Sequence, residues 1–203
     1  LPEEERENLA RVPYGDAEIL ADTGAPAVYG EPEYSVVERR GARPTLEING
    51  MWGGFIEEGF KTVIPSKAYA KISCRLVPYQ DPARIGQQVT AYLKQLAPPT
   101  VSVDVQPFHA GAPAFLTPYD SPMIQAAARA YQQTFGNEPL YTLEGGGTPV
   151  VSVFQQVLQS PIILMGFGLP DDNLHAPNEK FHLPNFYNGI RASIAFMREL
   201  AAL

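Results

Sequence analysis

KAYAKISCRLV, residues 67–77, alternates without interruption. Ala68, Ala70, Ile72, Cys74 and Leu76 fall on one face, and Lys71, Ser73 and Arg75 on the other. That is a half-buried strand whose polar face is available for function. A helix follows it. Asp81 is a good N-cap, Pro82 suits the first helical position, and Ile85, Val89, Tyr92 or Leu93, and Leu96 form an apolar stripe. Ala97-Pro98-Pro99 ends that helix, and VSVDV at 101–105 alternates again, with Pro107 at its end. Upstream, TLEING and MWGGF read as strand and turn. Strand, helix and strand predict one small α/β layer over residues 44–108.

On the N-terminal side the pattern weakens. Residues 1–12 predict a short helix anchored by Leu1, Leu9 and Val12. Residues 13–44 are rich in Gly, Pro, Ala and acids and read as irregular, with a short helix near 16–20. A segment of that length without clear elements is expected to wrap around something else.

On the C-terminal side, HAGAPAFLTPYD (109–120) is a connector and the expected domain boundary. SPMIQAAARAYQQTFG then spells a helix, with Ser121 as cap, Pro122 at the first position and Gly136 at the end. YTLEGGGTPVVSVFQQVL reads as a strand end, a glycine turn and a helix from Thr148 and Pro149. PIILMGFG is an apolar run of the buried parallel-strand type. The chain closes on a helix lined by Phe186, Ile190, Ile194, Met197 and Leu200. About two strands for three helices is too few for a sheet covered on both faces, so the sheet is expected to continue in further chain.

Composition narrows the class. The chain has 203 residues, 45% of them hydrophobic and 18% charged, enough for a real core. The net charge is −7 and the basic residues are dispersed, which argues against a nucleic-acid partner. A single cysteine, Cys74, excludes an internal disulfide framework and suits a reducing, cytoplasmic compartment. No apolar run is long enough to cross a membrane. The opening LPEEEREN is acidic and helix-prone, not a signal peptide, and lacks a starting methionine.

Several residues can carry chemistry. His175 lies in GLPDDNLHAPNEKF, just after a predicted strand, the usual address of a site in an α/β sheet. Its imidazole can ligate zinc or manganese, with a neighbouring carboxylate orienting the second nitrogen. Residue type alone leaves an ordinary loop histidine as the equal alternative. No H-x-x-H, H-E-x-x-H or C-x-x-C occurs, so the sequence writes no complete metal site. EGGGT (144–148) can aim backbone N–H groups of Gly146, Gly147 and Thr148 at an anion, or can be a plain turn and cap. Arg75 can hold a substrate carboxylate in a bidentate pair, or form a surface ion pair. His109 can donate to an anionic intermediate, or be a hinge residue. Thr62 and Asn49 can face a ligand. Cys74, on the apolar face, is expected in the core rather than as a nucleophile.

Three blocks together carry a resemblance. GFKTVIPSKAYAKISCRLVPYQDP, LEGGGTPV and NLHAPNEKF occur in the order expected of the M20 family metallopeptidases. They are most similar to the dipeptidase branch of cytosolic nonspecific dipeptidase and carnosinase, with a match running from Arg43 to Leu203. The resemblance implies an α/β fold: part of a phosphorylase/hydrolase-like zinc-peptidase catalytic domain and most of a smaller two-layer α/β lid that serves dimerisation. Residues 1–110 would be partial lid, with an ordered core at 44–108, and residues 111–203 the C-terminal part of the catalytic domain.

The resemblance also implies roles. His175 matches the last metal-binding histidine and Arg75 the arginine that grips the substrate's terminal carboxylate. His109 matches a lid histidine that stabilises the intermediate, and Thr62 a residue that reaches a partner subunit's active site. Gly147 stands where relatives often carry a substrate-contacting serine, so Gly146, Gly147 backbone or Thr148 must supply that contact. Asn49 stands where dipeptidases often have histidine. The implied reaction is hydrolysis of a dipeptide or related amide by two zinc or manganese ions, in a homodimer formed through the lid. The general base and the other ligands are expected upstream, making this a C-terminal portion that alone is expected to bind metal poorly and to be inactive. The alternatives are an N-acyl-amino-acid deacylase of the same family and a non-enzymatic lid-like dimerisation or interaction module.

Overall fold

The computed structural model describes residues 1–108, 111–145 and 149–203. Its helices are α1 (Glu3–Ala10), α2 (Asp16–Thr23), α3 (Val36–Gly41), α4 (Pro82–Gln95), α5 (Pro122–Phe135), α6 (Pro149–Leu158) and α7 (Leu183–Leu200), and its strands are β1 (Thr45–Gly53) and β2 (Ala68–Arg75).

β1 and β2 pair antiparallel, with Thr45 opposite Arg75, Glu47 opposite Ser73 and Ile48 opposite Ile72. The register shifts between Ile48 and Gly50, so Asn49 is the extra residue of a bulge. The alternation expected of β2 is realised. Leu46, Ile48, Ile72 and Cys74 share one face, and Thr45, Glu47, Ser73 and Arg75 the other. Beyond the bulge the polar face continues to Trp52 and Tyr69, whose rings stack at 5.1 Å across the strands. Cys74 is half-buried, and burial pushes its thiol pKa up, which keeps it protonated and inert.

The helix signals also hold. Asp81 accepts the Arg84 N–H at 2.7 Å as the cap of α4. Ser121 caps α5, and Gly136 closes it at φ 79, a left-handed conformation that favours glycine. α5 and α7 meet through small residues: Ala126, Ala127 and Ala130 on one and Gly189 and Ala192 on the other are buried. Their short side chains let the helices approach closely. Arg129 and Gln133 of α5 both reach Glu199 of α7, at 2.6 and 2.8 Å. Tyr131 and Phe135 of α5 stack with Phe167 beside this pair.

Residues 13–44 are more ordered than their composition predicts. α3 is a full capping box: Ser35 Oγ accepts the Glu38 N–H at 3.3 Å and Glu38 Oε2 accepts the Ser35 N–H at 2.6 Å. Tyr34 lies between the guanidinium groups of Arg6 and Arg43, at 5.2 and 4.5 Å. Arg43 also forks onto Glu31 through two bonds of 2.7 Å. Among the described residues, side-chain bonds from residues 1–44 to the rest of the chain go to Tyr119, Glu138 and Tyr141.

Three expected strand segments are corrected. Residues 101–105 and 161–168, and with them the strand end expected at 141–144, are in no ladder among the described residues, and Val101, Val103 and Leu164 are exposed. A strand exists only by virtue of a hydrogen-bonded neighbour, and the described residues supply none here. The chain accordingly exposes 15,290 Å². A compact monomer of 22.2 kDa exposes about 9,400 Å².

Candidate functional site

The polar face of the β1–β2 sheet and the start of EGGGT come together in space. Arg75 Nη1 donates to the carbonyl of Gly145 at 3.4 Å, across seventy residues of chain. β2 sets the direction of Arg75, because alternation fixes it on the face opposite Ile72 and Cys74. Its Nε lies 3.8 Å from Glu47 Oε1. Ser73 Oγ donates to Glu47 Oε2 at 3.4 Å, and Thr45 Oγ1 donates to Glu47 Oε1. The arginine remains more than half exposed, so most of its five N–H donors are open to a ligand.

Gly145 is wedged from the other side. A Cβ on Gly145 would lie 2.3 Å from the Arg40 carbonyl oxygen, and one on Gly41 would lie 2.0 Å from the Leu143 carbonyl oxygen. The end of α3 and residues 143–145 therefore approach backbone to backbone, which only glycine permits.

His175 is exposed on a loop built with unusual backbone. Asn173, His175 and Asn178 all have positive φ, at 54, 61 and 62°. Asp172 organises this loop from a buried position. Its Oδ2 accepts the Leu169 N–H at 2.7 Å, and its carbonyl accepts the Lys180 N–H at 3.0 Å. Its Oδ1 is buried without a partner among the described residues. Asp171 pairs with Lys180, which holds its carboxyl below the usual carboxylate range. Among the carboxylates near His175, Asp171 is paired with Lys180 and one oxygen of Asp172 holds the Leu169 amide.

The remaining candidates are dispersed. Asn49 is exposed at the bulge of β1, and Thr62 is exposed on the long β1–β2 connection, where the Val63 N–H bonds to the Lys61 carbonyl. His109, Gly146, Gly147 and Thr148 lie outside the described residues. Among the described residues no group of three or more His, Cys, Asp or Glu is placed to hold a metal ion. A di-metal centre therefore does not fit these residues alone; His175 can supply one donor to it. A cavity of about 360 Å³ lies between α1, α5 and residues 139–143 and 163–166, and none of the site candidates lines it. Glu47 is the residue that the sequence reading missed. Its signal was present, because TLEI alternation puts it beside Thr45 on the polar face.

Comparison with known proteins agrees with this geometry. The family model for Peptidase family M20/M25/M40 matches residues 2–199. The Cys-Gly metallodipeptidase DUG1 of Saccharomyces cerevisiae is 30% identical over 202 residues, which are 98% of this chain and 42% of that protein. The human Beta-Ala-His dipeptidase is 33% identical over 162 residues, 79% of this chain and 32% of that protein. The crystal structure of human carnosine dipeptidase 1 superposes with a TM-score of 0.81 at 29% identity, covering all of this chain and 43% of that one. The M20 family metallo-carboxypeptidase Sso-CP2 from Sulfolobus solfataricus gives 0.84 at 26% identity, covering all of this chain and 46% of that one. The chain thus spans less than half the length of these relatives, and its α/β architecture is that of their catalytic core and smaller lid. It belongs to peptidase family M20/M25/M40, on the dipeptidase and carnosinase branch.

Proposed function

We propose that the chain acts within a longer metallopeptidase that hydrolyses dipeptides, and that it supplies substrate recognition and one metal ligand. The observation that carries this reading is the meeting of Arg75 with Gly145, which joins two of the three motif blocks at one place. A free guanidinium edge beside a glycine-rich backbone suits a substrate ending in a carboxylate.

Two divalent ions, zinc or manganese, would supply an activated water and a polarised carbonyl, with His175 as one of their ligands. Arg75 binds the terminal carboxylate and so fixes the distance from that end to the scissile bond. Gly146, Gly147 and Thr148 contact the substrate, chiefly through backbone N–H groups. His109 stabilises charge that develops in the transition state. Thr62, on an exposed connection rich in apolar side chains, reaches the active site of a partner subunit in a dimer formed through the lid. Asn49, exposed at the bulge of β1, tunes substrate choice. The lid corresponds to residues 1–110, with its ordered core at 44–108, and residues 111–203 to the C-terminal part of the catalytic domain; side chains of residues 1–44 bond to Tyr119, Glu138 and Tyr141 across that boundary.

The surplus of exposed surface supports the view that further chain covers this piece. The 203 residues alone should then hydrolyse nothing. A cytoplasmic location suits the single free cysteine, and no described helix is long and apolar enough to cross a membrane.

The test is a substrate panel offered to the full-length protein loaded with zinc or manganese. Dipeptides should be hydrolysed and their C-terminal amides hydrolysed far more slowly. Faster turnover of N-acyl amino acids would assign the deacylase alternative. Absence of metal-dependent hydrolysis across the panel would leave a dimerisation or interaction module.

A further inference from the structure

Arg75 does not stand alone on the sheet. The register places Glu47 opposite Ser73 and one pair away from Arg75, on the same face. Glu47 Oε1 faces the Nε edge of the guanidinium at 3.8 Å, while Arg75 Nη1 points to the Gly145 carbonyl at 3.4 Å. The hydroxyls of Thr45 and Ser73 both donate to the Glu47 carboxylate. The carboxylate is thus held from both strands, unlike a lone surface glutamate free to swing into water.

We propose that Glu47 is a positioning residue for substrate recognition: its charge lies beside Nε of Arg75 and leaves Nη2, with the N–H of Nη1 not turned to Gly145, to meet the substrate's carboxylate. This rests on the reading that Arg75 binds that carboxylate. A guanidinium can meet a carboxylate through its Nε edge or through its two terminal nitrogens. An anion already beside Nε disfavours the first approach through like-charge repulsion. It also restricts rotation of a long, exposed side chain, so less freedom is lost when substrate binds. The consequence is selective: Glu47 acts on binding of the substrate's carboxylate end and leaves the chemical step alone.

An ordinary exposed ion pair would contribute little and would not discriminate between substrates. The experiment separates the two. In the metal-loaded full-length protein, KM and kcat are measured for a dipeptide and for its C-terminal amide, in wild type, Glu47→Ala, Glu47→Gln, Arg75→Ala and the double variant. Circular dichroism and thermal unfolding confirm that each variant is folded.

Glu47→Ala should raise KM for the dipeptide by about five- to tenfold with kcat within about twofold, and should leave the amide unaffected. Glu47→Gln should fall between wild type and Glu47→Ala, because it keeps the hydroxyl contacts and loses the charge. In the Arg75→Ala background, Glu47→Ala should add nothing. If Arg75→Ala leaves the preference for dipeptide over amide intact, the reading of Arg75 itself fails. If Arg75→Ala abolishes that preference while Glu47→Ala preserves it within about twofold, the role of Arg75 stands and the role of Glu47 is overturned. Equal losses on dipeptide and amide in Glu47→Ala would also overturn it.

Discussion

The carbonyl oxygen of Arg40 lies so near Gly145 that a Cβ on that glycine would be 2.3 Å away. The reciprocal approach, Gly41 to the Leu143 carbonyl, would be 2.0 Å. Neither neighbour is the far end of a flexible side chain, so neither can step aside without moving backbone. Gly41→Ala and Gly145→Ala should each destabilise the protein by about 1–3 kcal/mol, as overpacking of a close contact does. Chemical denaturation of the full-length protein checks this. Gly86→Ala is the control, since a Cβ there meets nothing within 4 Å; in helix α4 it should stabilise by about 0.5–1 kcal/mol.

Asp172 offers a second test. Its Oδ2 holds the Leu169 N–H, and its Oδ1 is buried without a partner among the described residues. Asp172→Ala would orphan the amide and release the loop that carries three positive-φ residues, including His175. The expected cost is about 1–3 kcal/mol of stability. Metal affinity should fall by about ten- to a hundredfold, because the ligand loop loses its support. Thermal unfolding and metal titration read the two effects separately.

Tyr131 gives the pH dependence of stability a component on the alkaline side. Burial pushes the Tyr131 phenol up to about 12, from an ordinary value near 10. The unfolded chain therefore gives up this proton first as pH rises. The stabilisation is complete below about pH 10 and is lost as pH rises towards 12. Denaturation at several pH values in that window should show wild type losing stability faster than Tyr131→Phe. The variant should start lower, because it lacks the 2.7 Å bond from the hydroxyl to the Gly166 carbonyl.

The elements that were legible in the sequence are those whose cause is local. Alternation wrote β2, and Asp81-Pro82 and Ser121-Pro122 wrote the starts of α4 and α5. The strands expected at 101–105, 141–144 and 161–168 carry the right residues, but pairing depends on a neighbour that no local pattern contains. α3 had a readable signal in Ser35-Val36-Val37-Glu38, hidden by the Gly- and Pro-rich stretch before it. For the site, Arg75 was legible as a charge on a strand's polar face. Its approach to Gly145 was not, because two segments seventy residues apart meet only through the tertiary fold. The partners of Asp171 and Asp172, Lys180 and the Leu169 amide, are local but were not legible, because the loop is shaped by three positive-φ residues that no spacing pattern predicts.

In the proposed function this chain contributes a metal ligand, His175, to a hydrolytic centre completed elsewhere in a longer protein. Metal stoichiometry of the full-length protein tests it most directly, measured by elemental mass spectrometry for wild type and His175→Ala. Wild type should carry two divalent ions per chain. The variant should lose at least one, with dipeptide hydrolysis falling by a hundredfold or more, an order-of-magnitude expectation of about 10². A folded His175→Ala protein that keeps both ions and full activity would contradict this role of His175.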